Sequence, residues 1–189
     1  MRQEELEEQG KSKSTAKEVL DWILYIGIVL ILSWLIVTFV GVRTVEDSQS
    51  MEPTLQDGNN LIVDKLSYRF RDPKRYEIIV FPYKYEENTY YIKRIIGLPG
   101  ETVQVKNGEV YIDGEILGED YGAEAMEDAG IASDPIELGT DEYFVLGDNR
   151  NHSSDSRDPS VGVLRREDLI GRAWIRIYPF DEMGFVVHE

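Results

Sequence analysis

Two serines, Ser48 and Ser50, stand one residue apart in the stretch DSQSMEPTL, which closely follows a long apolar run. Such a pair could serve nucleophilic catalysis, but a serine hydroxyl is a weak nucleophile until a neighbouring base removes its proton. Pro53 excludes a helix through the stretch, so both serines lie on non-helical backbone. Because loop serines are more often solvated or capping residues, the stretch predicts chemistry only if the chain supplies a base.

Histidine is the first base to consider, and the chain has two, His152 and His188. His152 stands in the polar stretch GDNRNHSSDSR close to Asp148 and Asp155, so a Ser-His-Asp arrangement can be written. A histidine in a polar loop is more often a solvated side chain, and spacing does not show that it reaches Ser50. The residues alone leave this alternative open.

Lysine is the second possible base, because burial disfavours the charged ammonium and lowers the pKa of the amine. Lys93 stands in the apolar stretch YYIKRIIG, where strand alternation places it on one face with Tyr91 and Ile95. The plainer interpretation is a lysine on an edge strand that extends to water, and spacing alone favours it. If Lys93 is the base, activity should rise at a pH below that at which a free lysine loses its proton.

The elements that hold these residues are predicted to be strands, because short runs rich in valine, isoleucine and tyrosine alternate with turn residues. Asn107-Gly108 and Asp113-Gly114 predict tight hairpin turns. The predicted strands are NLIVDKL, YEIIVFPY, TYYIKRIIG, ETVQVKNGEVYIDGEIL, EYFVLG and GRAWIRIYPF. We therefore expect residues 43–189 to form a mainly-β domain of coiled antiparallel sheet.

Residues 115–142, which we call the acidic segment, contain many Asp and Glu residues but no Lys or Arg. This composition predicts an exposed surface excursion from the sheet, with a helical turn around residues 123–128. A calcium-binding loop is the alternative, but the regular alternation of oxygen ligands that it requires is missing.

The apolar run WILYIGIVLILSWLIVTFVGV, residues 22–42, carries no charged residue. About 20 such residues cross a bilayer as a helix, whereas a cleavable signal peptide has an apolar run of about 7 to 15 residues. We therefore expect a transmembrane helix over 19–42 behind a mobile polar tail over 1–18. Lysines precede the run, at 11, 13 and 17, and only Arg43 follows closely, which predicts a cytoplasmic N-terminus and a domain outside the cell membrane.

Composition narrows the remaining possibilities. The formal net charge of -16 argues against a nucleic-acid partner, which needs a basic face. The absence of cysteine excludes disulfides, a thiolate metal site and a cysteine nucleophile. The length of 189 residues suits one domain and a short appendage.

The chain contains three stretches in the order SMEPTL, YIKRIIGLPGE and GDNRNHSSDSR. They resemble the corresponding motifs of the bacterial type I signal peptidases that have a single membrane span. The resemblance covers the anchor and nearly the whole outer domain. It implies a membrane-bound Ser/Lys endopeptidase with a signal-peptidase-like β fold and no metal or organic cofactor. The implied partners are the signal peptides of secretory preproteins, the lipid bilayer and the nearby export machinery, with cleavage after Ala-x-Ala-like sites. The substrate is expected to pair as an added strand with backbone near residues 46–50 and 90–93.

The resemblance also assigns roles to individual residues. Ser50 is the implied nucleophile and Lys93 its general base, while the Ser48 hydroxyl and the Ser50 N–H form the oxyanion hole. Ser153 matches the serine that orients the lysine amine, with Ser154 as a competing candidate.

Other positions matched by the resemblance have supporting roles. Two ion pairs are implied, Asp155 with Arg157 and Arg94 with Asp148. The candidates for substrate pockets or membrane contact are Met51, Tyr91 and Ile92, each of which could equally be ordinary packing. His152 occupies a position that varies in the family and is expected to be incidental to catalysis.

Two rival hypotheses remain. One is a self-cleaving or specialised Ser/Lys protease related to the phage-type repressors, which the anchor argues against. The other is a non-catalytic anchored β domain that binds exported proteins, in which Ser50 and Lys93 would be replaceable.

Overall fold

The computed structural model describes residues 2–35, 41–45, 48–122 and 124–188. It separates the chain into a helical unit, Met1–Val40, and a β-rich unit, Gly41–Glu189. The helical unit contains helix α1, Arg2–Leu35, which begins within the segment predicted to be a polar tail. The large apolar side chains of α1 between residues 19 and 34 are exposed.

The predicted span is only partly covered by this helix. Residues 36–40 lie outside the described residues, and Gly41 and Val42 already belong to a strand. No stretch of helix within the described residues combines the length and the apolar character needed to cross a membrane.

The β-rich unit is built from antiparallel sheets, which confirms the prediction of a mainly-β fold. The larger sheet has the order β1-β2-β11-β3-β4-β9-β10, with β12 paired to β11, and the smaller has the order β7-β6-β5-β8. The strands are β1 Gly41–Val45, β2 Asn60–Asp64, β3 Ile78–Pro82, β4 Tyr90–Gly97, β5 Thr102–Lys106, β6 Glu109–Ile112, β7 Glu115–Ile116, β8 Ile136–Glu137, β9 Glu142–Leu146, β10 Leu164–Arg165, β11 Gly171–Tyr178 and β12 Gly184–Phe185.

Each of the six predicted stretches contains at least one strand, and both predicted hairpin turns are present. Asn107 and Asp113 have φ angles of 53° and 52°, and the glycine after each has φ above 80°, as a tight hairpin requires. β8, β10 and β12 span two residues each, which is too short to show the alternation that predicts a strand.

Strand β4 positions the site because it is central and buried. β3 pairs with it on one side over Tyr90–Arg94, and β9 pairs on the other side from Arg94 onward. Its apolar side chains enter three hydrophobic clusters: Ile92 packs with Met51 and Leu55, while Ile95 and Ile96 each enter a different cluster. The two charged residues of this strand, Lys93 and Arg94, are therefore held within the core.

The acidic segment is more closely attached to the sheet than a free excursion would be. It contributes β7 and β8, and it buries Met126, Ala132 and Leu138 in the core shared with the smaller sheet. The described residues 124–128 do not form the predicted helical turn; a 3-10 helix lies instead at Gly130–Ser133. Most of the acidic side chains remain exposed.

Candidate active site

Ser50 and Lys93 meet in the core of the β-rich unit although 43 positions separate them in the chain. Lys93 Nζ lies 2.7 Å from Ser50 Oγ, and the two residues are 3% and 5% exposed. The amine also donates to the carbonyl oxygen of Ile92 at 2.9 Å. The interpretation of Lys93 as an edge-strand lysine that extends to water is therefore wrong, because the strand is central and the amine contacts the serine hydroxyl.

The turn that carries Ser50 is fixed on both sides of the serine. Met51 and Leu55 are fully buried in one cluster, and the Leu55 N–H donates to the Met51 carbonyl at 2.9 Å. The Asn149 N–H donates to the Ser50 carbonyl at 3.0 Å, and Asn149 Nδ2 donates to the Gln49 carbonyl at 3.1 Å. The backbone of the serine is thus bonded directly to the GDNR stretch after β9.

The two groups expected to form an oxyanion hole lie together. Ser48 Oγ donates to Ser50 Oγ at 3.0 Å, and it accepts the Ser50 N–H at 3.3 Å. Residues 46 and 47, part of the expected substrate-pairing backbone, lie outside the described residues.

The predicted pair of Arg94 and Asp148 is present and almost fully buried, at 1% and 0% side-chain exposure. The guanidinium binds both carboxylate oxygens, with Nε at 2.8 Å from Oδ1 and Nη2 at 2.7 Å from Oδ2. Thr54 Oγ1 also donates to Oδ2, at 2.5 Å. Since Thr54 stands four residues after Ser50, this pair fixes the far end of the serine turn.

The second predicted pair, Asp155 with Arg157, is buried as well. Arg157 Nε donates to Asp155 Oδ1 and Nη2 to Oδ2, each at 2.9 Å. Asp155 Oδ2 also accepts the Gly147 N–H at 3.1 Å. The carboxylate therefore fixes the start of the GDNR turn from inside the protein.

Ser153 lies beside this turn. A Cβ atom at Gly147 would collide with Ser153 Oγ and with the Ser50 carbonyl oxygen, so the packing requires glycine there. Within the described residues the buried Ser153 Oγ has no hydrogen-bond partner, so orientation of Lys93 by Ser153 stays a prediction. Ser154 is exposed and donates to Asp158 Oδ2 at 3.1 Å.

The three pocket candidates differ in exposure. Met51 and Ile92 are fully buried members of one core cluster, so both serve as packing in this structure. Tyr91 is half-buried and stacks on Tyr83 with ring centroids 4.6 Å apart, and Lys93 Nζ lies 5.1 Å from the Tyr91 centroid. Of the three, Tyr91 alone has a face toward solvent.

Neither histidine takes the place of the lysine beside Ser50. The side chain of His152 is exposed, and its backbone N–H donates to the Asn149 carbonyl. His188 Nδ1 accepts the Ile78 N–H at 3.0 Å, and burial lowers the pKa of this imidazole. Within the described residues no cluster of His, Asp and Glu side chains has a metal-binding arrangement.

Among the described residues, sequence reasoning missed five that contact the site or the side chains that support it. Asn149 and Arg150 belong to the GDNR stretch, but its letters do not reveal which backbone groups they bind. Thr54 follows the serine turn, and the remaining two belong to the acidic segment, in which no periodicity marks them: Glu119 and Tyr121.

Comparison with known proteins gives consistent matches. The family model described as "Signal peptidase, peptidase S26" matches residues 19–178. The chain is 44% identical over 158 residues to "Probable signal peptidase I-2" of Synechocystis sp., which covers 80% of this chain and 70% of that protein. It is 39% identical over 184 residues to "Signal peptidase I" of Bacillus amyloliquefaciens, covering 94% and 96% of the two chains. A crystal structure of a signal peptidase I from Enterococcus faecalis V583 is 34% identical, with a TM-score of 0.46 over 54% of this chain and 97% of that one.

Proposed function

The chain belongs to the peptidase S26 family and is a bacterial type I signal peptidase, a serine peptidase that cleaves signal peptides, and from this premise we propose that it cleaves membrane-delivered preproteins after Ala-x-Ala-like sites through a Ser50/Lys93 dyad. The observation that carries the proposal is the 2.7 Å contact between Lys93 Nζ and Ser50 Oγ in a buried setting. A buried amine favours its neutral form, which can accept the hydroxyl proton.

The mechanism has two stages. Ser50 Oγ attacks the scissile carbonyl while its proton passes to Lys93 Nζ, and the tetrahedral oxyanion is stabilised by the Ser50 N–H and the Ser48 hydroxyl. Lys93 then protonates the leaving amine, which is the new N-terminus of the exported protein. Water attacks the remaining ester with Lys93 again as base, and the signal peptide leaves with its own carboxylate.

Substrate binding is assigned to the open edge of β4. Within the described residues Tyr90–Ile92 pair with β3, whereas β9 pairs with β4 only from Arg94 onward. An extended peptide can add as a strand along the unpaired edge and bring its carbonyl to Ser50. Ser153 is assigned the orientation of the Lys93 amine.

Membrane attachment is assigned to the apolar run of residues 22–42, the first part of which lies in α1. The charge-free run of residues 22–42 and the exposure of the apolar side chains along α1 support an anchor over 19–42. The lysines before the run support a cytoplasmic tail over 1–18 and a catalytic domain, 43–189, on the outer face of the cell membrane, near the export machinery. Holding enzyme and substrate in one membrane raises their effective concentration.

The test is cleavage of a preprotein with one Ala-x-Ala site by the detergent-solubilised full chain, with the cut located by mass spectrometry. We expect the parent to cut after the second alanine, and Ser50→Ala and Lys93→Ala to lose at least about 1,000-fold in kcat/KM. Lys106→Ala, an exposed lysine, is the matched control and should cleave like the parent. Cleavage by Lys93→Ala at the parent rate would overturn the dyad, and a cut elsewhere in the preprotein would overturn the assigned site preference.

A further inference from the structure

Within the described residues the acidic segment contacts three arginines that support the serine turn or the GDNR turn, which its composition did not predict. Arg94 lies under Tyr121, Arg150 binds Glu119, and Arg157 binds the backbone of residues 128 and 131. Two of these arginines form the ion pairs already described. The third, Arg150, has its only carboxylate partner among the described residues in the acidic segment.

The contact between Arg150 and Glu119 is unlike the other contacts of the segment's acids because it is buried. The two side chains are 3% and 9% exposed, and Arg150 Nη1 lies 2.6 Å from Glu119 Oε1. Gly122 packs against the same side chain, because a Cβ there would lie 3.2 Å from Arg150 Cγ and 3.6 Å from its Cζ. Neighbouring acids such as Asp120 are exposed. Glu119 is thus set apart from the solvated charges of its segment.

Arg150 connects this contact to the turn that holds the nucleophile. Its Nε donates to the Gly147 carbonyl at 3.0 Å. The N–H of the same glycine donates to Asp155, so both polar groups of this peptide residue are fixed by charged side chains. Two residues on, the Asn149 N–H donates to the Ser50 carbonyl. A chain of direct contacts therefore runs from Glu119 to the backbone of Ser50.

We propose that Glu119 is a positioning residue for signal-peptide cleavage: it holds the Arg150 guanidinium, which fixes the Gly147 carbonyl and thereby the turn that binds Ser50. The inference rests on the proposed function, since it assigns a role in the same reaction. Glu119 binds the Arg150 guanidinium, and its effect on the serine turn is transmitted through that side chain. Without the carboxylate, a buried guanidinium keeps its charge but loses the group that directs it, and it can leave the Gly147 carbonyl.

The signature is a selective loss of turnover. A displacement of the serine turn by a fraction of an ångström misaligns Oγ with Nζ, while the substrate-binding edge of β4 is unchanged. For Glu119→Gln, which keeps the side-chain shape, we expect kcat to fall by about 10-fold with KM within about 2-fold of the parent. Asp120→Asn, the same change on the neighbouring exposed acid, should leave both constants unchanged.

A double variant separates positioning from simple stability. Glu119→Gln/Arg150→Met removes the unpaired charge and the donor to Gly147 together. If the pair only stabilises the fold, the double variant should recover both the melting temperature and kcat. If Glu119 positions the turn, the melting temperature should recover while kcat stays low, because the Gly147 carbonyl still lacks its donor.

Amide hydrogen exchange provides a readout that does not need cleavage. In the full chain, Glu119→Gln should accelerate exchange in a peptide covering Gly147–Asn149, whereas a peptide covering β5 should exchange as in the parent. A parent that fails to cleave would overturn the proposed function, and the exchange comparison would still decide the role of Glu119. Unchanged kcat together with unchanged exchange at Gly147–Asn149 in Glu119→Gln would overturn the positioning role.

Discussion

Two arginine–carboxylate pairs each include one residue of the GDNR turn, Asp148 in one and Arg150 in the other, and they differ in how completely their hydrogen bonds are satisfied. Arg94 and Asp148 share two bonds, and the carboxylate also accepts from Thr54. Arg150 and Glu119 share one, and within the described residues Arg150 Nη2 and Glu119 Oε2 are buried with no hydrogen-bond partner.

The difference follows from where the partners stand in the fold. Arg94 pairs in register with Leu146 across two adjacent strands, so Asp148, two residues later, is brought to the guanidinium by the sheet itself. Glu119 follows the two-residue strand β7 in a segment that no strand pairing holds at that point. A bidentate pair fixed by a sheet is rigid and strong, whereas a single contact between two loops can yield. The first pair is therefore expected to contribute more to stability, whereas the second holds the Gly147 carbonyl of the turn through Arg150.

The largest expected effect is the loss of the sheet-held pair. Asp148→Ala leaves the Arg94 guanidinium buried without its carboxylate, which costs about 3–5 kcal/mol of unfolding free energy. Glu119→Ala breaks one contact of a less complete pair and should cost about 1–3 kcal/mol. Denaturant titration of the two full-length variants in the same detergent checks the order. Asp120→Ala, at an exposed acid, is the control. Equal losses of unfolding free energy in Asp148→Ala and Glu119→Ala would contradict the expected difference in strength between the two pairs.

The site residues that the larger sheet positions could largely be predicted from the sequence. Strand alternation correctly placed Lys93 with Tyr91 and Ile95 on one face, because side chains two positions apart in a strand point to the same side. The resemblance to known motifs supplied Ser48, Ser50 and the two predicted ion pairs, Arg94 with Asp148 and Asp155 with Arg157, and each of these pairs is present in the structure. Alternation could not show that the strand is central, which is why spacing alone favoured an exposed lysine.

The contact between Glu119 and Arg150 could not be predicted from the sequence, for a physical reason. Glu119 and Arg150 are joined by tertiary packing of irregular segments 31 positions apart, and no periodicity encodes such a contact. A high density of acids predicts solvation on average, so the sequence does not distinguish the largely buried carboxylate of Glu119 from its exposed neighbours. For Met51 and Ile92 the sequence left a substrate pocket and ordinary packing equally open, and the structure places both side chains in one core cluster.

A middle-sized effect is expected at Tyr121, where the acidic segment contacts the sheet-held pair itself. Its ring lies 3.8 Å from Arg94 Cζ, and its hydroxyl donates to the His188 carbonyl at 3.3 Å. Tyr121→Leu removes the ring and should cost about 0.5–2 kcal/mol of unfolding free energy, the range for a guanidinium over an aromatic face.

The matched control at this position is Tyr121→Phe, which keeps the ring over Arg94 and removes only the hydroxyl. It should cost less than Tyr121→Leu in the same denaturant titration. A phenylalanine variant as unstable as the leucine variant would mean that the hydroxyl, and not the ring, holds the segment against Arg94.

The smallest expected effect concerns His188, whose carbonyl accepts from Arg94 Nη1 at 3.4 Å and whose ring receives the Ile78 N–H. Burial lowers the pKa of this imidazole from 6.5; Glu77 acts in the opposite direction, and Arg172 and Arg94 lower the pKa further. Because the folded protein resists protonation of His188 more than the unfolded chain does, its contribution to stability is complete above pH 6.5 and is lost as the pH falls below that value. His188→Asn supplies an amide oxygen near the position of Nδ1 without a titrating group. The difference in unfolding free energy between parent and variant should therefore be constant above about pH 7 and should shift in favour of the variant toward pH 5. A difference that does not change with pH would show that the imidazole gains its proton as easily in the folded protein as in the unfolded chain.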